Sequence, residues 1–216
     1  MKKLVIIRHG ESEWNQKNLF TGWVDAGELM KEAGLDFDVC YTSYLKRAIN
    51  TQQIALKVME REWLPVIKSW RLNERHYGAL SGLNKKETAE KYGDEQVHIW
   101  RRSFDVRPPQ MEEDNVYSAR KNPAYRDVPV EDVPMCESLK DTIARTVPYF
   151  ENEIKPLVME GKRVFIAAHG NSLRSLIKYF ENISDEDIIN VEIPTGTPLV
   201  YEFDDDFKVT NKYYLK

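Results

Sequence analysis

The sequence predicts an α/β fold in which a mostly parallel sheet lies between two layers of helices, a three-layer α/β/α arrangement. Short apolar runs alternate with segments of helical composition through the first third of the 216 residues and again near the end. Such alternation is typical of parallel sheets with right-handed crossovers, which place helices on both faces. We predict a single domain over residues 1–216, with a cap-like insertion at about 74–135 that covers the functional site.

The first third of the chain contains three predicted strands and two predicted helices. A polar loop is expected at 15–25, followed by a helix at 27–33 of only about two turns. A longer helix is expected from residue 44 to about 61, with Ser43 as its N-cap. Three apolar runs predict buried strands, at 4–7, 37–42 and 64–70.

The middle of the chain is less regular. A charged helix within 83–102 is interrupted by Gly93, and residues 104–134 are rich in proline. Four aromatic residues are expected to anchor this region to the domain: Trp100, Phe104, Tyr117 and Tyr125. Pro148 predicts a kink in the helix that follows. The remaining predicted elements are that helix at 137–157, a strand at 163–168, helices at 173–180 and 184–189, and antiparallel strands at 198–203 and 210–215.

The composition disfavours several classes of function. The formal net charge of −4 argues against general nucleic-acid binding, which depends on a basic surface. No apolar run is long enough to cross a membrane. The two cysteines, Cys40 and Cys136, suggest no disulfide framework and favour a reducing compartment. We therefore expect a cytoplasmic protein that binds neither nucleic acid nor membrane.

Two predicted strand ends carry the same short pattern. VIIRHGES contains Arg8 and His9, and FIAAHGNS contains His169. If the two strands are neighbours in the sheet, their ends lie about 5 Å apart and both imidazoles can reach one ligand atom. A lone buried histidine is more often structural. Two histidines at matched positions, one of them after an arginine, indicate a catalytic pair.

The surrounding residues favour phosphate chemistry. A neutral imidazole beside guanidinium groups can attack phosphorus and form a phosphohistidine. Glu74 follows the third strand; it either pairs with Arg71 or Arg75, or acts as a general acid and base. The histidines and carboxylates show no metal-ligand spacing, so no metal is expected. The guanidinium groups that match phosphate oxygens come from Arg8, Arg47, Arg101 and Arg102.

Beyond these residues, the sequence resembles the cofactor-dependent phosphoglycerate mutases of the histidine phosphatase superfamily. The resemblance covers nearly the whole chain and is most specific in the blocks RHGESEWN (8–15), NERHYG (73–78) and AAHGNSLR (167–174). It implies an isomerase that interconverts 3-phosphoglycerate and 2-phosphoglycerate through a phosphohistidine. It also implies 2,3-bisphosphoglycerate as the primer, phosphoglycerates as the small-molecule partners and a homodimer.

The resemblance also implies a role for each matching residue. His9 would be the nucleophile and Glu74 the proton donor and acceptor, while His169, Arg8 and Arg47 would stabilise the phosphoryl group. Phosphate oxygens would be bound by Ser12, Asn15, Thr21, Gly22, Gly170 and Asn171. The rest of the substrate would be bound by Arg75, Tyr77, Lys85, Arg101 and Arg102.

The chain departs from the family pattern close to the first histidine. Asp25-Ala26 runs directly into Gly27, where the family has a leucine-serine-x-x-glycine block and a longer helix. Two helical turns are too short for a crossover between parallel strands, which usually takes a dozen or more residues. Either the segment is genuinely shortened or residues are absent from the sequence, and the energetic cost of losing half a core-packing helix favours the second.

Two alternatives to a mutase remain open. The same fold and residues would serve a phosphatase or a bisphosphoglycerate synthase and phosphatase. A catalytically silent phosphate-binding or scaffold protein is disfavoured, because it would be expected to lack His9, Glu74 or His169, and all three are present.

Overall fold

The centre of the molecule is a mixed sheet whose neighbouring strands are mostly parallel. In the computed structural model, residues 1–9 and 16–216 are described, and the side chains of 16–22 lie outside that description. Over the described residues the sheet has six strands in the order β3-β2-β4-β1-β5-β6. The strands are β1 Lys2–Arg8, β2 Val39–Thr42, β3 Val66–Lys68, β4 Val164–Ala168, β5 Leu199–Phe203 and β6 Val209–Tyr214.

Helices cover both faces of this sheet, as the sequence predicts. Alternate strand residues point to opposite faces, so each strand contributes to two cores. One core contains Ile6 and Ile166 with α5, α6 and α7, and the other contains Ile7 and Phe165 with α1 and α2. The helices are α1 Gln16–Glu32, α2 Lys46–Val58, α3 Lys85–Tyr92, α4 Asp94–Arg102, α5 Leu139–Tyr149, α6 Lys155–Met159 and α7 Gly170–Glu181.

The prediction for the first crossover is wrong in its boundaries. Helix α1 starts at Gln16, so backbone that was expected to form a polar loop at 15–25 is helical. The helix continues without a break through Ala26 and Gly27, and Ala26 is fully buried in the core. Its 17 residues give a crossover of ordinary length. The chain thus compensates for the short segment by extending the helix toward its N-terminus.

Other elements agree with the sequence in kind and differ in detail. Gly93 separates α3 from α4 with a φ of +85°. The disturbance expected at Pro148 takes the form of a π-helical turn, Phe150–Ile154, between α5 and α6. Ser43 is not the N-cap of α2, because that helix begins at Lys46.

Within the predicted insertion, α3 and α4 are followed by three short 3₁₀ turns, Ala119–Lys121, Pro123–Tyr125 and Val130–Asp132, which lie beside a small core. Tyr125 packs in this core with Trp70 and Val133. Tyr117, which was expected to be an anchor, is instead 63% exposed. A search of the described residues for a helix long and apolar enough to cross a membrane finds none.

Candidate active site

The two histidines meet at the carboxyl ends of adjacent strands. Strands β1 and β4 are parallel neighbours with Arg8 opposite Ala168, and the His9 amide donates to the Ala168 carbonyl at 3.2 Å. The imidazole rings of His9 and His169 lie edge to face, with centroids 4.4 Å apart. The prediction that the strands are neighbours is therefore confirmed. Both rings are almost fully buried, at 3% and 0% exposure.

His169 lies in surroundings that favour its neutral form. Burial lowers the pKa of its imidazole well below the usual value, and the positive charges of nearby groups, including Arg47 and Arg145, lower that pKa further. The Oγ atom of Ser43 lies 2.7 Å from its Nε2 atom. That hydroxyl also accepts the Leu45 amide hydrogen at 3.1 Å. These two contacts fix the orientation of the ring.

Arg8 is held beside the two rings by backbone groups. Its Nη1 atom donates to the Ile193 carbonyl at 2.7 Å, and its own carbonyl accepts the Gly196 amide at 2.8 Å. A Cβ atom at position 170 would lie 3.1 Å from the Arg8 Cζ atom. Gly170 thus permits the close approach of the guanidinium group to the start of α7.

Glu74 lies at the N-terminus of helix α7. Its Oε1 atom accepts the backbone amides of Arg75 at 2.9 Å and of Asn171 at 3.0 Å. The positive end of the helix dipole favours a carboxylate there. The side-chain ion pair with Arg71 or Arg75, the structural interpretation, is not among the described contacts. Instead Arg145 donates to the Glu74 carbonyl at 3.2 Å.

An open cavity of about 350 Å³ brings together four of the five predicted catalytic residues, and the fifth, His169, lies buried against His9 behind its wall. A second cavity of about 290 Å³ shares Arg8 and Glu74 with the first and adds Arg102, Gly170 and Asn171. Permanent cations outnumber carboxylates in the lining of both cavities, as a phosphate site requires. The predicted residues that line the first cavity are Arg8, His9, Arg47, Glu74, Tyr77, Lys85 and Arg101.

Arg75 lies behind Tyr77, and its role as a substrate-binding residue stays a prediction. It is only 2% exposed, and its guanidinium group donates to the carbonyls of Glu137, at 2.8 Å, and Trp100. The same group lies 5.0 Å from the centre of the Tyr77 ring. Arg75 therefore uses two of its donors within the protein and supports Tyr77 from behind. It lines neither of these two cavities, but it lines a third, of about 700 Å³, together with Arg47, Glu74 and Tyr77.

Four predicted phosphate ligands lie in or next to the part of the chain that is only partly described. Ser12 and Asn15 fall outside the described residues. Thr21 and Gly22 lie inside helix α1. The assignment of all four residues as phosphate ligands stays a prediction.

Three residues that contact or line the site were not predicted from the sequence to do so. Ser43 was assigned to helix capping, although its hydroxyl contacts His169. Arg145 forms a buried ion pair with Glu137 at 2.7 Å, and no local pattern indicates it. Arg174 lines the second cavity. Only Arg174 has a sequence signal, because it follows Asn171 by one helical turn and therefore lies on the same face of α7.

This fold and site define a class of protein. The family model of the histidine phosphatase superfamily (branch 1) matches residues 4–131, more than half of the chain. The chain therefore belongs to that superfamily. Solved structures share the fold at low identity. They include a mycobacterial glucosyl-3-phosphoglycerate phosphatase in complex with VO3 (TM-score 0.67, 20% identity, 99% of this chain and 97% of that one). Another is the alpha-ribazole phosphatase of Shigella flexneri (TM-score 0.71, 15% identity, 99% and 96%).

Curated relatives narrow the family within this class. The 2,3-bisphosphoglycerate-dependent phosphoglycerate mutase of Treponema denticola is 61% identical over 99% of this chain and 92% of its own length. The enzyme of the same name from Lactococcus lactis subsp. cremoris is 54% identical over 100% of this chain and 98% of its own. The chain belongs to their family. The Lactococcus alignment spans 228 positions against 216 residues here, so about a dozen positions of it lie opposite gaps in this chain.

Proposed function

We propose that this protein is a phosphoglycerate mutase that interconverts 3-phosphoglycerate and 2-phosphoglycerate through a phosphohistidine at His9, primed by 2,3-bisphosphoglycerate. The observation that carries the proposal is the pairing of His9 with His169 at 4.4 Å beside Glu74 in a cation-lined cavity. Names of relatives 53–61% identical support the same reaction. The enzyme needs no metal in this scheme, and a search of the described residues for a group of metal-ligating side chains finds none.

The chemistry requires one nucleophile and one proton carrier. In the first half-reaction, a ring nitrogen of His9 attacks one phosphorus of 2,3-bisphosphoglycerate, the N–P bond forms, and the P–O bond to the glycerate oxygen breaks. Glu74 gives a proton to that leaving oxygen, and a monophosphoglycerate is released. In the second half-reaction, the free hydroxyl of 3-phosphoglycerate attacks the phosphohistidine, the new O–P bond forms as the N–P bond breaks, and Glu74 takes back the proton, which regenerates 2,3-bisphosphoglycerate. Atoms and protons therefore balance over the complete cycle.

Charge on the transferring phosphoryl group must be offset during both steps. Arg8 and Arg47 line the cavity beside His9 and supply guanidinium donors. His169 is neutral near pH 7, because burial and neighbouring cations lower its pKa, so it offers one N–H donor and no added charge. The arginines thus supply the positive charge around the phosphoryl group, while the N–H of His169 orients that group.

The remaining lining residues suit the glycerate part of the substrate. Tyr77 and Lys85 line both cavities with Arg101, while Arg102 and the start of α7 at Asn171 line the second. A carboxylate and a second phosphate need such donors at the far end from His9. Arg75 contributes indirectly through Tyr77. We keep Ser12, Asn15, Thr21 and Gly22 as proposed phosphate ligands.

Isotope transfer tests the reaction directly. Enzyme incubated with ³²P-labelled 2,3-bisphosphoglycerate should acquire an acid-labile label, and unlabelled 3-phosphoglycerate should remove that label as bisphosphoglycerate. Label that passes to water at the same rate with and without 3-phosphoglycerate would identify a phosphatase and overturn the proposal. Failure of the enzyme to acquire any label would overturn the phosphohistidine itself.

The proposed setting is a cytoplasmic homodimer. Cys40 and Cys136 are both free thiols, as expected in a reducing compartment. Strand β3 is at the edge of the sheet, and Ile67 on it is 43% exposed, with Trp63 just before it 73% exposed. An exposed apolar edge favours association with a second copy. Sedimentation at micromolar concentration should give a dimer, and a monomer would contradict this assignment.

A further inference from the structure

The second cavity contains a buried arginine that the proposed mechanism does not use. Arg174, on α7, is 9% exposed and lines this cavity. Its Nη1 atom donates to Asn171 Oδ1 at 3.0 Å, and its Nη2 atom donates to the Ile188 carbonyl at 2.5 Å. Within the described part of the chain its Nε atom is buried and has no hydrogen-bond partner. A buried donor without a partner is costly, so such a group calls for an explanation.

The contacts of Arg174 lead directly to the catalytic carboxylate. Asn171, whose side-chain oxygen Arg174 holds, donates its backbone amide to Glu74 Oε1 at 3.0 Å. The Nδ2 atom of Asn171 donates to the Tyr77 hydroxyl at 3.2 Å. Because Oδ1 is fixed by a cation, Nδ2 must face Tyr77, and the amide cannot rotate by half a turn without losing both bonds.

A second branch connects Arg174 to Arg8. The Ile188 carbonyl that it binds lies in a short 3₁₀ turn, Asp187–Asn190. Three residues after that turn, the Ile193 carbonyl accepts the Arg8 guanidinium at 2.7 Å. Arg174 therefore ties helix α7 to the segment that orients Arg8. One side chain thus joins the walls that carry the proton carrier and the phosphoryl-binding arginine.

We propose that Arg174 is a positioning residue for the transfer reaction, which acts through Asn171 to fix the Glu74 carboxylate and the Tyr77 hydroxyl at the cavity wall. The inference rests on the proposed mutase function for its readout of turnover. Positioning by Arg174 differs from a simple charge effect, because the guanidinium group must hold Asn171 and the Ile188 carbonyl with two donors in a fixed fork. A lysine keeps the charge but cannot reach both acceptors at once.

A double-mutant cycle separates positioning from charge. We expect R174K to lower kcat on the order of tenfold or more, as a small displacement of a catalytic group does, with a smaller rise in KM for 3-phosphoglycerate because the displaced Tyr77 hydroxyl lines the cavity. We expect N171A to lower kcat as well. The loss in the double variant should be clearly smaller than the product of the two single losses, because both residues act on Glu74 and Tyr77 through the Arg174–Asn171 contact, while the branch through Ile188 adds only a smaller independent part.

The controls keep the result interpretable. Arg126, whose side chain is 79% exposed and lies 3.8 Å from Asp127, provides R126K as a matched arginine-to-lysine exchange away from the site, with unchanged kcat expected. A melting temperature for each variant identifies a folding defect. We expect the smallest folding defect in R174K, because lysine keeps the charge and most of the length of the arginine side chain. R174K with an unaltered kcat, or losses that multiply in the double variant, would overturn the proposal.

Binding provides a second measurement that does not depend on turnover. If the unmodified enzyme fails to form 2-phosphoglycerate, the proposed function falls, and the same cycle is then measured on the Kd of 3-phosphoglycerate by calorimetry. Coupled losses in Kd for R174K and N171A would still support positioning by Arg174. Independent losses, or no binding by the unmodified enzyme, would overturn it.

Discussion

Strands β1 and β4 are each followed by a His-Gly pair, and the two histidines lie in different surroundings. His9 lines the cavity of about 350 Å³, beside Arg8. His169 has no exposed surface, is held by the Ser43 hydroxyl at 2.7 Å, and has a lowered pKa caused first by burial. The backbone pattern places each ring at the sheet edge, and the neighbours then decide its chemistry. This difference supports the proposal that His9 is the nucleophile and that His169 orients the phosphoryl group.

Exchange of each histidine for alanine should separate the two strand ends most strongly. H9A should lose the covalent label from 2,3-bisphosphoglycerate completely and lower kcat by on the order of 10⁴-fold or more, because no nucleophile remains. H169A should also be slow but should still accumulate the label, since His9 is intact. Retention of label in H9A, or its selective loss in H169A, would reverse the assignment of roles.

The position of the Glu74 side chain depends on the segment that follows β4, because the Asn171 amide at the start of α7 donates to its carboxylate at 3.0 Å. E74Q keeps the shape and an oxygen acceptor but cannot exchange a proton. We expect kcat to fall about 10²- to 10⁴-fold, the range for loss of a general acid or base. Steady-state rates measure this effect, with E60Q as a control at a side chain 78% exposed. A rate for E74Q within about tenfold of the original would exclude Glu74 as the proton carrier.

The sequence predicts the positions of both histidines well, because local apolar patterns locate the strands that precede them. Apolar runs locate β1 and β4, and residues that follow parallel strands are brought to one edge of the sheet. The sequence alone therefore predicts that His9, His169 and Glu74 lie close together. It does not predict contacts made by side chains that are distant along the chain. Arg145 reaches the loop of Glu74 from α5, more than 70 residues away, and no spacing rule encodes that contact.

The errors have equally specific physical causes. Residues 16–22 look like a loop by composition, yet a crossover between β1 and β2 needs length, and the chain obtains it from them. Tertiary demand thus overrides local propensity there. Ser43 precedes a helix as caps do, and its hydroxyl instead serves His169.

Ser43 offers a finer test of the β4 end. S43A removes the partner 2.7 Å from His169 Nε2 and leaves a buried ring nitrogen unsatisfied, at a cost of about 1–3 kcal/mol in the free energy of unfolding. The ring should lose its fixed orientation, and we expect a fall in kcat of about tenfold with the label on His9 retained. Chemical denaturation and ¹⁵N NMR of the imidazole measure the two effects. An unchanged tautomer and rate would remove Ser43 from the site.

The smallest expected effect is a dependence of stability on pH that originates at the β4 end. The pKa of His169 lies well below its ordinary value of 6.5, so below pH 6.5 the unfolded chain binds a proton that the folded protein does not. The free energy of unfolding should therefore fall as the pH drops from 6.5, by up to about 1.4 kcal/mol per pH unit for this group. His76 acts in the same direction, because burial lowers its pKa too.

Two variants isolate the contribution of His169 in denaturation curves recorded from pH 7.5 to pH 5. H169N should flatten the slope, whereas H76N should leave most of it. Asp141 does not interfere in this window. Its pKa is held at about 2, first by the Arg107 side chain, so the stability it contributes is lost only on acidification below its ordinary value of 3.8. An equal slope in the original protein and H169N would show that His169 protonates as readily in the folded protein as in the unfolded chain.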